Sequence, residues 1–231
     1  MPFHTVSGQW EILLVALVLG AAHVISPWIY ERRKVPERQR AFAGGLSVAY
    51  VFLHLLPSLD VSHKVVGGRI YFVALIAFVL FYGLDVHFRP PRHKHPTKYK
   101  AYLAAFFLYD GLLVFTLGLN LPPTNLLTAV FAVAIALDVL ATDLDLQELY
   151  GVRFVRSGRW VLFGGVATGY ALSLFRRPHP LMVDILTAAI AGFIMFHTFN
   201  GQLSSKSRKF PAFVAGVAAF SVLHVILGAA D

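Results

Sequence analysis

Two aspartates stand inside apolar stretches of this chain, where packing alone gives no reason for a charged side chain. Asp110 lies near the middle of a run rich in Leu, Val, Ala and Phe, and Asp138 lies in the next such run. An ionised carboxylate near the centre of a bilayer costs about 2.5 to 3.5 kcal/mol on insertion scales, so it needs a partner, water or a proton. Carboxylate oxygens also bind hard divalent cations. These two residues are therefore the first candidates for a cation pathway.

More oxygen-bearing side chains follow Asp138 along the same predicted helix. Asp138, Thr142 and Asp145 are spaced i, i+4 and i+7, which places them on one helical face. Asp143 points away from that face but lies close to the same helix end. The face favours a cation path that descends toward the cytoplasm. A second interpretation stays open, in which Asp143, Asp145 and Glu148 begin a solvated loop.

Histidines also occur inside the apolar stretches, at His23, His54, His197 and His224. A single histidine in a membrane helix is usually a hydrogen-bonded packing residue, although its imidazole can also bind a metal or transfer a proton. His54 shares a helical face with Ser47 and Tyr50, and His197 shares one with Asn200. The predicted metal-site residues are Asp110, Asp138, Thr142, Asp143, His54 and His197. No catalytic and no cofactor-binding residue is predicted.

Eight apolar stretches must position these residues, and a helix needs about 20 apolar residues to cross a bilayer. They run approximately over 10–28, 41–59, 70–88, 102–119, 126–144, 160–175, 181–199 and 210–228. With 57% hydrophobic residues and a mean hydropathy of +0.66, a soluble domain is excluded. The sequence predicts an all-α fold, with residues 1–231 as a single transmembrane domain and a bundle of eight transmembrane helices. Helix direction also allows spans 1–3 and 6–8 to form an inverted pair around spans 4 and 5, a 3+2+3 arrangement.

The basic residues are sorted between the loops. If the spans alternate in direction, the first and third loops each hold five Lys or Arg residues, and the fifth and seventh loops each hold three. Only four of the 20 basic residues lie elsewhere. The positive-inside tendency then places the odd loops in the cytoplasm and both termini outside it, as a multi-pass protein of the cell membrane. The net charge of +8 therefore favours lipid headgroups over nucleic acid as a partner. Since the chain has no cysteine, any metal must be held by oxygen or imidazole.

Several short motifs resemble a known family. The second stretch runs from Ala41-Phe-Ala-Gly-Gly to His54-Leu-Leu-Pro, the third ends in Leu84-Asp85-Val86-His87, and the fourth contains Tyr109-Asp110-Gly111. In these motifs and in its layout of eight spans, the chain resembles the ZIP family of divalent-metal transporters. The resemblance implies a central cation site between the fourth and fifth helices, around Asp110 and Asp138, and a homodimer.

The chain also departs from that family's pattern. Phe106 and Phe107 stand where the family usually has histidine and a polar residue, and Asp138-Val139 and Thr142-Asp143 replace its His-Glu pairs. The sixth span has no acidic residue that would complete a two-metal centre. What remains is rich in oxygen donors, which suit magnesium, manganese or calcium better than zinc.

The sequence thus predicts a ZIP-like transporter or conduit for divalent metal cations, with the lipid bilayer and the transported cation as partners. The bound metal would be the substrate, no further cofactor is expected, and the protein is predicted not to be an enzyme. Two other classes stay open. The chain could be a degenerate family member that acts as a membrane partner or sensor without transporting. It could also be an intramembrane metal-dependent hydrolase, which the lack of a His-x-x-x-His pair in the spans disfavours.

Overall fold

The computed structural model describes residues 6–32, 37–57, 69–88, 96–117, 125–175, 179–202 and 210–228. This part of the chain contains eight α-helices and no strand, so the all-α prediction is confirmed for it. The helices are α1 (Val6–Arg32), α2 (Glu37–Tyr50), α3 (Arg69–Phe88), α4 (Pro96–Leu117), α5 (Asn125–Tyr150), α6 (Arg159–Phe175), α7 (Pro180–Gln202) and α8 (Phe210–Gly228). The described residues of each predicted apolar stretch lie on one of them, except that the second stretch continues past α2 through a π-helical turn, Val51–Leu55. The predicted ends at Leu59 and Leu119 lie outside the described residues.

Three helical segments within these ranges are long and apolar enough to cross a membrane. They are Trp10–Arg32, Arg69–His87 and Tyr99–Leu117, and two shorter apolar helices cover Leu181–His197 and Phe210–Ile226. On α3, large apolar side chains including Phe72, Leu75, Ile76, Val79 and Leu80 are more than half exposed. A helix that presents apolar groups outward is suited to hydrocarbon surroundings rather than water.

The fifth helix continues beyond its predicted end. A loop was expected from Asp145 to Arg159, but α5 stays helical to Tyr150 and ends at Gly151, whose φ of 56° is the left-handed conformation of a C-terminal glycine cap. The N–H of Gly151 donates to the carbonyl of Gln147 at 2.8 Å. A π-helical turn over Phe154–Gly158 then leads directly into α6. The predicted end of the fifth stretch at residue 144 is therefore too early, and a single glycine separates α5 from the helical turns that follow.

The helices group into two compact units, each described here by itself. Unit 1 comprises Met1–Lys34 and Gly83–Arg177 and contains α1, α4, α5, α6 and the last turns of α3. Unit 2 comprises Val35–Tyr82 and Pro178–Asp231 and contains α2, the rest of α3, α7 and α8. Within unit 1, α4 packs on α6, and α1 packs on α5 and α6. Within unit 2, α2 packs on α8 and α7. The single-domain organisation stays a prediction.

Glycines allow α4 and α6 to touch backbone to backbone. A Cβ at Gly165 would lie 2.6 Å from the carbonyl oxygen of Phe107, and one at Gly169 would overlap the carbonyl of Gly111. Small residues permit this approach, and without them membrane helices cannot come so close. Because Gly111 follows Asp110 directly, the contact also holds the segment of α4 that carries this carboxylate.

Glycines also allow the backbones of α2 and α8 in unit 2 to touch. A Cβ at Gly45 would overlap the carbonyl of Phe213, and one at Gly216 would overlap the carbonyl of Phe42. A third close contact joins α7 to α3, where Gly192 faces the carbonyl of Ala74. Gly45 thus lies at a close contact between the backbones of α2 and α8.

Candidate functional site

Three helices of unit 1 bring three buried ionisable side chains together. His23 of α1, Asp110 of α4 and Asp143 of α5 are 1%, 2% and 0% exposed. The imidazole of His23 lies between the two carboxylates. Its Nδ1 is 3.0 Å from both oxygens of Asp143, and its Nε2 is 3.4 Å from Oδ2 of Asp110. Residues more than 100 positions apart in the sequence therefore form one cluster.

The two sides of the His23 ring make different contacts. An ionised carboxylate can only accept a hydrogen bond, so the Nδ1–H of His23 donates to Asp143. On the other side, Nε2 and Oδ2 of Asp110 are both buried, and neither has a hydrogen-bond partner among the described residues. The orientation of the ring is thus fixed by α5, while its Nε2 faces α4.

The backbone of α1 is unusual at this histidine. Pro27 lies inside the helix, and since proline has no N–H, the carbonyl of His23 lacks its ordinary i→i−4 partner. The hydroxyl of Ser26 donates to that carbonyl at 3.1 Å. The next carbonyl, of Val24, accepts from Nη1 of Arg159 at 3.3 Å. Side chains therefore support α1 at the point where Pro27 interrupts its ladder of hydrogen bonds.

Asp138 and Thr142 lie on α5 beside this cluster. Asp138 is 1% exposed, and its charge acts on that of Asp110. The hydroxyl of Thr142 donates to the main-chain carbonyl of Asp138 at 3.0 Å, a contact within the helix. The structure thus places three carboxyl groups and one imidazole in a region of unit 1 that is shielded from solvent.

The three acidic residues near the end of α5 differ in how far their side chains are exposed to solvent. Asp145 is half-buried and Glu148 is exposed, whereas Asp143 is completely buried on His23. The interpretation of all three as the solvated start of a loop is therefore wrong for Asp143. Glu148 is exposed, as that interpretation requires, but it lies on α5 and not in a loop.

His54 and His197 belong to unit 2, and both are half-buried. His54 lies on a π-helical turn, Val51–Leu55, that continues α2, and its ring centre is 5.2 Å from that of Tyr50. The ring of His197 is parallel to that of Phe193 at 6.0 Å. Aromatic packing accounts for these contacts. The predicted cooperation of His54 and His197 with the acids of unit 1 stays a prediction.

Sequence reasoning did not select His23 as a site residue. It was one of four histidines in apolar stretches, and nothing local separated it from the other three. The signal that could have done so is Ser26-Pro27, because a proline four positions after a residue removes the helical partner of that residue's carbonyl. An interrupted helix that also carries a buried polar side chain is typical of ion sites in membrane proteins.

Another buried acid of unit 1 has a clear local partner. The hydroxyl of Tyr102 donates to Oδ1 of Asp85 at 2.8 Å, which joins α4 to the last turn of α3. In the described ranges, no three His, Cys, Asp or Glu side chains form a ready-made metal site. A cation held by the cluster around His23 would therefore need water, or a small movement of a helix, to complete its coordination.

Comparison with known proteins adds no assignment to this chain. No protein-family model matches the sequence, and no curated protein matches it. The resemblance to the ZIP family therefore stays a prediction carried by the motifs around His54, His87 and Asp110.

Proposed function

We propose that this protein is an integral membrane transporter or conduit for divalent cations, related in architecture to the ZIP family. The cation passes through unit 1 and is held there by Asp110 and Asp138, with Asp143 and Thr142 beside them. Transport requires that such a site open alternately to the two sides of the membrane, through changes in helix packing and without covalent chemistry. The cation is the substrate.

One observation carries this proposal, namely the burial of Asp110, Asp138 and Asp143 in one part of unit 1. None of the three is more than 2% exposed, and Asp110 interacts electrostatically with both of the others. Like charges brought together away from solvent are unfavourable unless a cation offsets them. The ring of His23 contacts Asp110 and Asp143, and a divalent ion would offset the negative charge of the acids when they are ionised. A purely structural salt bridge would need only one of these acids.

The eight-span topology, with both termini outside the cytoplasm, is part of the proposal. It is supported by the sorting of Lys and Arg between the loops and by the three helices long enough to cross a bilayer. The inverted 3+2+3 arrangement is supported by the helix pairs. Such a repeat matches α1 with α6 and α4 with α5. It therefore relates the contact between α4 and α6 to the contact between α5 and α1, and both contacts are present. In unit 2 the same repeat relates the contact between α2 and α8 to the contact between α7 and α3. The last two helices meet at Gly192.

The experiment that tests the function is a flux assay with the purified protein in liposomes. Vesicles loaded with a divalent-ion indicator receive Mg²⁺, Ca²⁺, Mn²⁺, Co²⁺ or Zn²⁺ outside, and we expect at least one ion to enter faster than into protein-free vesicles. Entry should saturate with concentration, because a site that holds the ion fills. Equal rates with and without protein for every ion would contradict transport and favour a non-transporting membrane partner or sensor.

The topology gives a separate prediction that uses the absence of cysteine from the natural chain. A single cysteine placed at Ser62, in a predicted outer loop, should react in intact cells with a membrane-impermeant maleimide. One placed at Ser207, in a predicted cytoplasmic loop, should react only after the cells are permeabilised. Both positions lie outside the described residues, and the cysteine-free parent is the control. The reverse pattern would invert the proposed orientation, and labelling of both in intact cells would contradict the alternating spans.

A further inference from the structure

We infer that His23 is a direct ligand of the transported cation through Nε2, next to Oδ2 of Asp110, and that Asp143 orients its imidazole from the other side. This inference rests on the proposed function, because it concerns the cation held in unit 1. It adds a nitrogen donor from α1 that was not among the predicted site residues, and it moves Asp143 from the ligands to the supporting residues.

The first argument is the geometry between Nε2 of His23 and Oδ2 of Asp110. The two atoms are 3.4 Å apart, whereas a charge-assisted N–H···O bond is about 2.7 to 2.9 Å long. Each is buried without a hydrogen-bond partner in the part of the chain that the structure describes. Two donors bound to one metal at about 2.1 Å with tetrahedral angles are about 3.4 Å apart. The pair is therefore spaced as two ligands of one ion.

The second argument is the contact on the opposite edge of the ring. Histidines that bind metals almost always donate their other N–H to a carboxylate, a carbonyl or water, which fixes the tautomer and the ring orientation. The Nδ1–H of His23 donates to Asp143 in this way, with both carboxylate oxygens at 3.0 Å. In the cation-bound state that we infer, Nδ1 carries the proton, and Nε2 offers its lone pair to the ion that it shares with Asp110.

Further groups on the helices around His23 fit this assignment. Asp138 on α5 lies near enough for its charge to act on Asp110, and its carboxylate or water can supply the remaining donors. On α6, Arg159 donates to the main-chain carbonyl of Val24 and so supports α1 at the residue after His23. The cluster therefore combines one imidazole with carboxylates from two other helices.

This donor set determines the class of cation. Calcium and magnesium prefer oxygen donors alone, whereas imidazole suits zinc, cobalt, nickel, copper and iron. A site with one nitrogen and carboxylate oxygens therefore favours a divalent transition metal over the alkaline-earth ions. The expected preference for magnesium, manganese or calcium is replaced here by a preference for a cation of intermediate softness.

The test is equilibrium binding to the full-length protein in detergent micelles, measured by titration calorimetry with Co²⁺ and, separately, with Ca²⁺. We expect the wild type to prefer Co²⁺. His23→Gln should weaken Co²⁺ binding by at least about tenfold, the lower end of what even a supporting residue contributes to metal affinity, and should change Ca²⁺ binding by much less. His87→Gln is the matched control, because His87 is an exposed histidine whose Nδ1 donates to the carbonyl of Gly83. It should leave both affinities unchanged.

Asp143 gives an independent measurement of the same arrangement. Asp143→Ala removes the acceptor of the Nδ1–H and should weaken Co²⁺ binding by about 10- to 100-fold. Asp143→Asn keeps an acceptor oxygen in the same place and should recover part of this loss. A merely structural salt bridge would weaken Co²⁺ and Ca²⁺ binding in parallel. If His23→Gln does not fold, these two variants decide the question.

The possible outcomes separate this inference from the proposed function. Co²⁺ binding that is unchanged in His23→Gln, or a parallel loss of Co²⁺ and Ca²⁺ binding, would overturn the ligand role of His23 and leave a transporter intact. Selective Co²⁺ binding that depends on His23, together with no flux into liposomes, would support the ligand role of His23 and contradict the proposed transport function. A wild-type protein that binds neither ion would overturn both.

Discussion

Asp110→Asn should lower the rate of divalent-cation flux into liposomes by about 10- to 100-fold. The carboxylate of Asp110 is 2% exposed and faces Nε2 of His23. Asparagine has nearly the same shape, so the substitution removes the negative charge and little else. A single contact to a buried charged group is worth about 1.5 to 3 kcal/mol, which corresponds to that factor in affinity. The measurement is the initial rate of entry of the ion that the wild type transports best.

Glu148→Gln is the matched control for this prediction, because it removes one acidic charge from an exposed position on α5. It should transport like the wild type. Asp138→Asn should resemble Asp110→Asn, because Asp138 is 1% exposed and belongs to the same group of charges. Retention of full flux by both buried-acid variants, with thermal unfolding shown to be unchanged, would place the ion path elsewhere in the molecule.

Gly169→Ala should destabilise the protein by about 3 kcal/mol, at the upper end of the usual cost of overpacking. The added methyl would overlap the carbonyl of Gly111 and come within 2.9 Å of its carbonyl carbon. A flexible side chain could move away from such a contact, but a helix backbone cannot do so without separating α4 from α6. The midpoint of thermal unfolding in detergent should fall, and cation binding should weaken, because Gly111 adjoins Asp110.

Gly83→Ala provides the comparison for this substitution. Gly83 is also helical, but a Cβ there would meet nothing within 4 Å. Alanine is favoured over glycine in a helix by about 0.8 to 1 kcal/mol, so this variant should be as stable as the wild type or slightly more stable. If the two alanine variants unfolded at the same temperature, the backbone contact between α4 and α6 would not contribute to stability as described.

The helices could be predicted because their signal is local. Runs of about 20 apolar residues favour a helix, and the described residues of all eight stretches are helical. Burial of Asp110 and Asp138 followed from the same argument, since each is surrounded in sequence by apolar neighbours. The end of α5 differs from the prediction because three acids and several arginines suggested a solvated loop, whereas the helix continues to the glycine at position 151.

The contacts within the site could not be predicted in this way. The partner of Asp143 is His23, 120 residues earlier, and no pattern in one sequence joins them. Helical phase was also misleading, because Asp143 is turned about 140° from Asp138 around the axis of α5. Both are nevertheless buried, because α5 is covered on more than one side. A helix enclosed in this way has no single inner face that spacing can identify.

The glycine contacts of unit 1 determine which helices can slide past one another. α4 and α6 meet through rigid main chain at Gly165 and Gly169, so they can only be displaced as one body. α1 meets α6 differently, since the nearest atoms to a Cβ at Gly20 belong to the ring of Phe163, and a ring can rotate. Shear motions proceed through such small adjustments of side chains between packed helices. Displacement of α1 along a fixed α4–α6 pair would therefore change the distance between His23 and Asp110 while every helix stays intact.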